Sequence, residues 1–81
     1  MNLQVKIFPI SGCNDTSHEI EMTLSQGHLG ELMSYLQQYL RKDLYDESIM
    51  LLHNGQGLDL NSDVQFKEAD KVWVMPRLSG G

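Results

Sequence analysis

The sequence predicts an α+β fold in which a mixed sheet of four to five strands packs on one main helix. Two early segments alternate apolar and polar residues, a central segment repeats apolar residues at spacings of three and four, and short apolar runs follow it. Alternation is typical of a strand with one buried face, and the wider spacing is typical of a helix with one buried side. A chain of 81 residues has room for one core, so the helix is expected to cover one face of the sheet.

The first two strands are expected to form an antiparallel hairpin. Residues 3–8 alternate between apolar and polar side chains and end at Pro9, and residues 19–24 repeat the pattern after a short polar link. The apolar positions of the two segments are Leu3, Val5, Ile7, Ile20, Met22 and Leu24.

The helix is predicted from about residue 29 to residue 41. Its apolar stripe consists of Leu29, Leu32, Met33, Leu36 and Leu40. Arg41 and Lys42 are expected in the last turn, where the helix dipole favours positive charge. A partner helix is the alternative occupant of the stripe, but a domain this small needs those side chains for its own core.

Three short strands complete the predicted sheet. Residues 49–53 are apolar and end at Asn54-Gly55, a dipeptide typical of a tight hairpin turn, and residues 56–63 are expected to hold one short edge strand. The last strand is predicted over residues 71–75, with Pro76 ending it because proline lacks a backbone donor. The chain is therefore divided into a domain of residues 1–75 and a C-terminal tail of residues 76–81.

Composition excludes several classes of function. A net charge of −5 disfavours nucleic acid, because phosphates would be repelled. Neither a stretch of about 18 apolar residues nor a signal-peptide pattern is visible, so a cytoplasmic protein without membrane contact is expected. His18, His28 and His53 have no compact metal-ligand spacing, and the single cysteine, Cys13, lies in a turn-like stretch without basic neighbours. No metal and no bound cofactor are expected.

The pair Gly80-Gly81 is the candidate functional site. Two residues without side chains can enter a channel too narrow for a Cβ atom, and they leave the terminal carboxylate as the reactive group at the tip. The six residues from Pro76 to Gly81 span roughly 20 Å when extended, enough to place the carboxylate inside another protein's active site. The residues that would accompany Gly81 are Arg77, Leu78, Ser79 and Gly80.

Three segments give the chain a resemblance to a known family. They are the helix opening, residues 28–33, the turn, residues 52–55, and the C-terminal stretch, residues 68–72 and 76–81. With these segments the chain resembles the β-grasp, or ubiquitin-like, sulfur carriers: the small subunit of molybdopterin synthase and the thiamine-biosynthesis sulfur carrier. Against the family pattern, His28 replaces a threonine cap and Ala69 replaces a glycine, although alanine disfavours a positive φ.

The resemblance implies a sulfur carrier that is not itself an enzyme. In this family an E1-like adenylating enzyme supplies ATP and Mg²⁺ and joins the terminal carboxylate, here that of Gly81, to AMP. Sulfur from a persulfide then displaces AMP and leaves a thiocarboxylate. The thiocarboxylate serves a sulfur-accepting synthase, either the large subunit of molybdopterin synthase or thiazole synthase. The chain length, the tail proline and the ending of residues 78–81 favour molybdopterin (molybdenum cofactor) biosynthesis over thiamine biosynthesis.

A partner surface is expected beside the tail. The last strand is apolar on both faces, and by comparison with the ubiquitin-like pattern Val72 and Val74 point to the core. Trp73 and Met75 then point outward and are expected to bind the partner, with Leu78 extending the patch. The alternative is that a loop covers Trp73. Arg77, next to this patch in the sequence, is expected either to pair with acidic groups of the partner or to stay solvated.

Two other functions use the same fold and tail. A ubiquitin-like modifier also has its terminal glycine adenylated, but the activated carbonyl passes to a lysine amine and ends as an isopeptide bond. A passive interaction module would bind through Trp73 and Met75 and would tolerate loss of the tail. The fate of Gly81 separates these functions, because a thiocarboxylate indicates a carrier and a ladder of conjugates indicates a modifier.

Overall fold

Five strands and one helix make up the fold, and the computed structural model describes residues 1–10, 16–45 and 48–77. The elements in chain order are β1 (Asn2–Ile7), β2 (His18–Thr23), α1 (Leu29–Leu40), β3 (Ile49–His53), β4 (Gln56–Gly57) and β5 (Lys71–Pro76). The predicted α+β class is confirmed. Cys13 lies outside the described residues.

The strands form one mixed sheet in the order β2-β1-β5-β3-β4. β1 pairs antiparallel with β2, which confirms the predicted hairpin, and it pairs parallel with β5. β3 pairs antiparallel with both β5 and β4. The first strand in the chain, β1, therefore lies beside the last strand, β5, and β5 occupies the centre of the sheet.

The core lies between α1 and one face of the sheet. Its helix residues are Leu29, Leu32, Met33 and Leu36, and its strand residues include Leu3, Val5, Ile7, Ile49, Leu51, Val72 and Val74, all buried. The predicted helical stripe and the inward orientation of Val72 and Val74 are confirmed. Leu40 is only partly buried and packs at the margin of this cluster.

The end of α1 differs from the expectation. The helix stops at Leu40, and Arg41 caps it in the left-handed region with a φ of 54°. Leu44 is fully buried, and its amide donates to Gln37 Oε1 at 3.2 Å, so the chain must turn back toward the core directly after Leu40. The placement of Arg41 and Lys42 in the last helical turn was therefore wrong.

The start of α1 is held by Glu31 instead of by the capping residue. His28 makes no side-chain cap hydrogen bond. The Glu31 carboxylate accepts hydrogen bonds from the backbone amides of Ser25, Gln26 and Gly27 at 2.7, 3.0 and 3.1 Å. These bonds, that from Gln26 foremost, lower the pKa of Glu31 from its ordinary value of 4.5 to about 2.

Two turns flank the start of β5 and are joined by Asp70. Asn54 and Gly55 have φ values of 51° and 88°, which confirms the predicted hairpin turn between β3 and β4. The Asp70 carboxylate bonds His53 Nε2 at 2.8 Å and accepts from Asn54 Nδ2 at 3.2 Å and from the Lys67 amide at 2.9 Å. Desolvation acts to raise the pKa of Asp70, but these hydrogen bonds outweigh it and the pKa lies below its usual value.

The last strand continues one residue beyond the predicted stop, since Pro76 lies in β5 opposite Ile49. The Arg77 amide donates to Ser48 O at 2.7 Å, so Ser48 and Arg77 are a hydrogen-bonded pair. Hydrogen-bonded and non-hydrogen-bonded pairs alternate along antiparallel strands, so the next pair, Ile49 and Pro76, is non-hydrogen-bonded and its backbone N–H and C=O groups point away from the partner strand. The missing N–H of Pro76 therefore faces the side on which β1 has already ended, because the pairing of β1 with β5 stops at Val74.

Replacing Ala69 by glycine should stabilise the domain. Ala69 has a φ of 68°, a conformation that costs a residue with a Cβ about 1 to 2 kcal/mol. Allowing for the entropy that glycine adds to the unfolded chain, Ala69→Gly should raise the free energy of unfolding by about 0.5 to 1 kcal/mol, measured by urea denaturation. Lys67 is exposed and has no positive φ, so the control Lys67→Gly should lower the free energy of unfolding. A lower free energy of unfolding in Ala69→Gly would contradict the strain assigned to Ala69.

Glu31→Gln should lower the melting temperature in a pH-dependent way. Because the folded-state pKa lies below the ordinary one, the contribution of the Glu31 carboxylate is present above pH 4.5 and is lost as the pH falls to about 2. The difference in melting temperature between the wild type and Glu31→Gln should close across that window. Glu19→Gln removes the same charge from an exposed site on β2 and serves as the control, and a difference that stayed constant with pH would refute the role of Glu31.

Candidate functional site

The candidate site is the face of the sheet that α1 does not cover, together with the chain end that leaves β5. Side chains alternate along β5, so Val72 and Val74 face the core while Trp73 and Met75 face the other side. Trp73 is 39 % exposed and Met75 is partly buried. The predicted outward orientation of both side chains is therefore confirmed.

Three further apolar side chains join Trp73 and Met75. In the register of β3 against β5, Leu52 lies opposite Trp73 and Met50 lies opposite Met75, so both share their face. The Phe8 ring meets the Trp73 ring edge-on at a centroid distance of 5.5 Å. These five side chains form the open-face patch: Phe8, Met50, Leu52, Trp73 and Met75.

Trp73 is 39 % exposed, and no loop of the described residues covers it. Its contacts come from Phe8, the residue that follows β1, and from Lys6, whose ammonium lies 5.0 Å from the Phe8 ring centroid and 6.0 Å from the Trp73 ring centroid. A cation at this distance is attracted to the ring faces. These contacts fix the orientation of the indole and leave part of it accessible.

Positive charge borders the open-face patch. A depression of about 270 Å³ lies between β2, β1 and β5, and its lining includes Lys6, Lys71, Glu19 and Trp73. Lys71 extends from the same face of β5 as Trp73, two residues away. The open face therefore combines an apolar centre with two lysines, although the chain as a whole carries a net charge of −5.

β5 ends beside the open-face patch. Pro76 pairs with Ile49, and the Arg77 amide donates to Ser48 O, so the backbone is attached to β3 as far as Arg77. The predicted tail residues Leu78, Ser79, Gly80 and Gly81 lie outside the described residues. The four residues beyond Arg77 span roughly 13 Å when extended, whereas the six residues of a tail that starts at Pro76 span roughly 20 Å.

Sequence reasoning found Trp73 and Met75 but not the rest of the open-face patch. Leu52 and Met50 lie in an apolar run in which both faces are apolar, and a run of that kind does not reveal which residues face outward. Phe8 was assigned to the strand without a partner. The available signal was the same as for Trp73: apolar residues on both faces of a sheet that has one helix to cover it.

The histidines and acidic residues of the described part of the chain form no metal-type cluster. Among residues 1–10, 16–45 and 48–77, no group of three or more His, Cys, Asp or Glu side chains is placed to hold a metal ion. His53 bonds Asp70, and His18 Nε2 lies 3.1 Å from the Tyr39 hydroxyl. Over the same part of the chain, no helix has the length and apolarity needed to cross a membrane.

The architecture is the β-grasp, or ubiquitin-like, fold, in which a mixed five-stranded sheet holds one helix. SAMP1 from Haloferax volcanii has the same fold, with a TM-score of 0.66 at 16 % identity over the whole of both chains. So does a chain from the complex of subunits 1 and 2 of molybdopterin-converting factor from Helicobacter pylori, with a TM-score of 0.64 at 22 % identity over the whole of both chains. A second Haloferax volcanii protein, solved in solution, has a TM-score of 0.64 at 21 % identity over 100 % of this chain and 87 % of its own.

These structural matches confirm the β-grasp fold that the sequence resemblance implied. No protein-family model matches the chain, and no curated protein matches it in sequence. The relationship is therefore one of fold, preserved at identities of 16 to 22 %.

Quenching of Trp73 fluorescence should depend on the charge of the quencher. Trp73 is the single tryptophan of the chain, it is partly exposed, and Lys6 lies within a Debye length of its ring. Relative to the quenching of free N-acetyltryptophanamide by the same ions, iodide should therefore quench Trp73 more strongly than caesium, and Lys6→Gln should narrow the difference between these two relative quenching constants. Arg41→Gln, which removes a positive charge at the end of α1, should leave it unchanged. Equal quenching by both ions in the wild type would show that the lysines do not govern access to the indole.

Proposed function

We propose that this protein is a sulfur carrier, whose Gly81 carboxylate is adenylated by an E1-like enzyme, converted to a thiocarboxylate and used as a sulfur donor in molybdopterin biosynthesis. The observation that carries the proposal is the position of the open-face patch around β5, the strand that leads directly into the Gly80-Gly81 end. A surface for a partner and a reactive chain end then belong to one strand.

The chemistry at Gly81 requires activation because a carboxylate is a poor electrophile. Transfer of AMP from ATP to a carboxylate oxygen releases pyrophosphate, neutralises the carboxylate and provides a good leaving group. The sulfur of a persulfide then attacks the carbonyl carbon, AMP departs, and a thiol reduces the remaining S–S bond to leave the thiocarboxylate. ATP, Mg²⁺ and the acid-base groups belong to the adenylating partner, so the carrier acts as a co-substrate and not as a catalyst.

The short reach of the tail makes close docking necessary. About 13 Å of extended chain separates Arg77 from the carboxylate, so the partner's reacting atoms must lie near the end of β5. The open-face patch lies at this end of β5 and offers a partly exposed Trp73 to an apolar surface of the partner. Lys6 and Lys71 favour acidic groups at the rim of that surface.

The choice of pathway rests on the sulfur acceptor. A chain with the same fold comes from the complex of subunits 1 and 2 of molybdopterin-converting factor, which supports a synthase large subunit as the second partner. The ending of residues 78–81 and the proline that precedes it favour the same pathway. Thiazole synthase and protein lysines are the acceptors that the experiment below distinguishes from it.

Charging of Gly81 is tested by the intact mass of the protein. After incubation with ATP, Mg²⁺, a persulfide donor and the adenylating enzyme, the mass should shift by the replacement of one oxygen by sulfur. A variant with one residue appended after Gly81 should show no shift and should melt at the wild-type temperature, because the last described strand ends at Pro76, several residues before the change. Ser79→Ala, which keeps both glycines, is the matched control and should charge normally.

Three results would redirect the proposal. Normal charging of the extended variant would overturn the tail mechanism. Isopeptide conjugates in place of a thiocarboxylate would indicate a modifier. A thiocarboxylate that supplies thiazole synthase but not the molybdopterin synthase large subunit would assign the chain to thiamine biosynthesis.

Binding through the open-face patch is tested with Trp73→Ala. The substitution should weaken binding to the adenylating enzyme by roughly tenfold or more, because a large aromatic side chain leaves the centre of the interface. Tyr45→Ala removes an aromatic residue that is 52 % exposed outside the patch and should leave binding unchanged. Equal affinities of the two variants, measured by calorimetry on folded proteins, would place the partner elsewhere.

A further inference from the structure

A second surface lies along β2, at the edge of the sheet away from the open-face patch and the tail. β2 is the first strand of the order β2-β1-β5-β3-β4, so one side of its backbone pairs with β1 and the other side forms the edge. An edge strand is a template for pairing with a further strand. This edge is independent of the function proposed for Gly81.

The backbone hydrogen bonds establish which residues present that edge. Met1 and Leu24 form two backbone hydrogen bonds with each other: the Met1 nitrogen donates to Leu24 O and the Leu24 amide donates to Met1 O, each at 2.8 Å. In an antiparallel pair such hydrogen-bonded positions recur at every second residue, so Ile20 and Met22 direct their amides toward β1. The amides and carbonyls of Glu19, Glu21 and Thr23 therefore point outward along the edge.

An apolar groove runs beside this edge on the helix side. It has a volume of about 380 Å³ and is lined by Met22, Thr23, Tyr35, Gln38 and Tyr39. Tyr35 and Tyr39 are 45 % and 50 % exposed, which is high for aromatic residues on a helix whose other side forms the core. A 3.1 Å contact between the Tyr39 hydroxyl and His18 Nε2 joins the helix to the start of β2 and bounds the groove there.

The opposite side of the edge is acidic. Glu19 and Glu21 are exposed on the sheet face away from the helix. Lys6 lies opposite Glu19 in the register of β1 against β2. Glu21 accepts a hydrogen bond at 3.1 Å from the side-chain amide of Gln4, which is an uncharged partner.

We infer that β2 binds an extended segment of a partner protein in which apolar and basic side chains alternate. Such a segment adds a sixth strand to the sheet, with its backbone bonded to Glu19, Glu21 and Thr23. Because side chains alternate across a strand, every second one enters the groove beside Tyr35 and Tyr39, and those between lie next to the glutamates. The alternation of apolar groove and acidic edge thus specifies the pattern of the ligand.

A second copy of this chain fits the edge less well. Antiparallel pairing of two β2 strands centred on Ile20 or on Glu21 places glutamates directly opposite each other. Like charges at opposed positions destabilise a strand pair, whereas lysine or arginine there would stabilise it. The charge at the edge therefore favours a basic segment over self-association.

The inference is tested with a capped seven-residue peptide, Lys-Val-Lys-Ile-Lys-Val-Lys, and a rearranged peptide of the same composition with the four lysines together. Hydrogen exchange measured by NMR should be fast for the free amides of Glu19, Glu21 and Thr23. When the alternating peptide occupies about 90 % of the protein, their exchange should slow about tenfold, because it then proceeds from the unbound tenth. The amides of Ile20 and Met22 should be protected with or without the peptide.

Variants distinguish binding in the groove from nonspecific electrostatic attraction of the peptide. Tyr35→Ala should lower the affinity for the alternating peptide by roughly tenfold, and Glu21→Lys should lower this affinity further. Tyr45→Ala, which changes an aromatic residue that is 52 % exposed outside the groove, should bind the alternating peptide as the wild type does.

Several results would overturn the inference. These are no slowing of exchange at the three outward amides, equal binding of the rearranged peptide, or chemical-shift changes centred on Trp73 and Met75. A dimer of the free protein that already protects those three amides, detected by sedimentation, would make a second copy the occupant instead of a basic segment.

Discussion

The parallel pairing of β1 with β5 is the contact on which the rest of the structure depends. It places Val5 beside Val72 and Ile7 beside Val74, so residues from the two ends of the fold form the middle of the core. Backbone bonds from the Gln4 amide to Asp70 O and from the Phe8 amide to Val74 O, at 2.9 and 2.8 Å, extend this pairing in both directions. β5 therefore lies at the centre of the sheet between β1 and β3, and beyond Val74 it is paired with β3.

Because the single helix covers only one face of the sheet, the residues of β5 divide into those that stabilise the core and those that are available to a partner. Val72 and Val74 are fully buried against the helix side, and Trp73 remains partly exposed on the other side. Substitutions on the two faces should thus separate stability from partner affinity, even though the residues are adjacent in sequence. This division gives a small domain a binding surface without any additional element.

The two surfaces of the sheet that are open to partners differ in their local charges. Lys6 and Lys71 border the open-face patch, Glu21 lies at the β2 edge, and Glu19 lies between the two, opposite Lys6 in the register. Fields from exposed charges fade over about 8 Å at physiological ionic strength, so these local charges act at each surface more strongly than the net charge of −5. The net charge alone would have suggested only basic partners.

The sequence by itself determined the local elements and which of their faces are buried. Alternation placed Leu3, Val5 and Ile7 on one face of β1, three-to-four spacing defined the buried side of α1, and Asn54-Gly55 defined a turn. These features depend on contacts between near neighbours and on side-chain direction, which the residue order contains.

Only the tertiary structure decided how the elements combine. It brought Phe8, Met50 and Leu52 to Trp73, because strand order and register arise from contacts between segments that are distant in sequence. It retained Pro76 in β5, since the proline nitrogen faces a side without a neighbouring strand. It also holds Ala69 at a positive φ. In this turn the Ala69 amide donates to Asn2 O and the Asp70 amide donates to Lys67 O. The stability of the turn outweighs the local preference of alanine for a negative φ, which is about 1 to 2 kcal/mol.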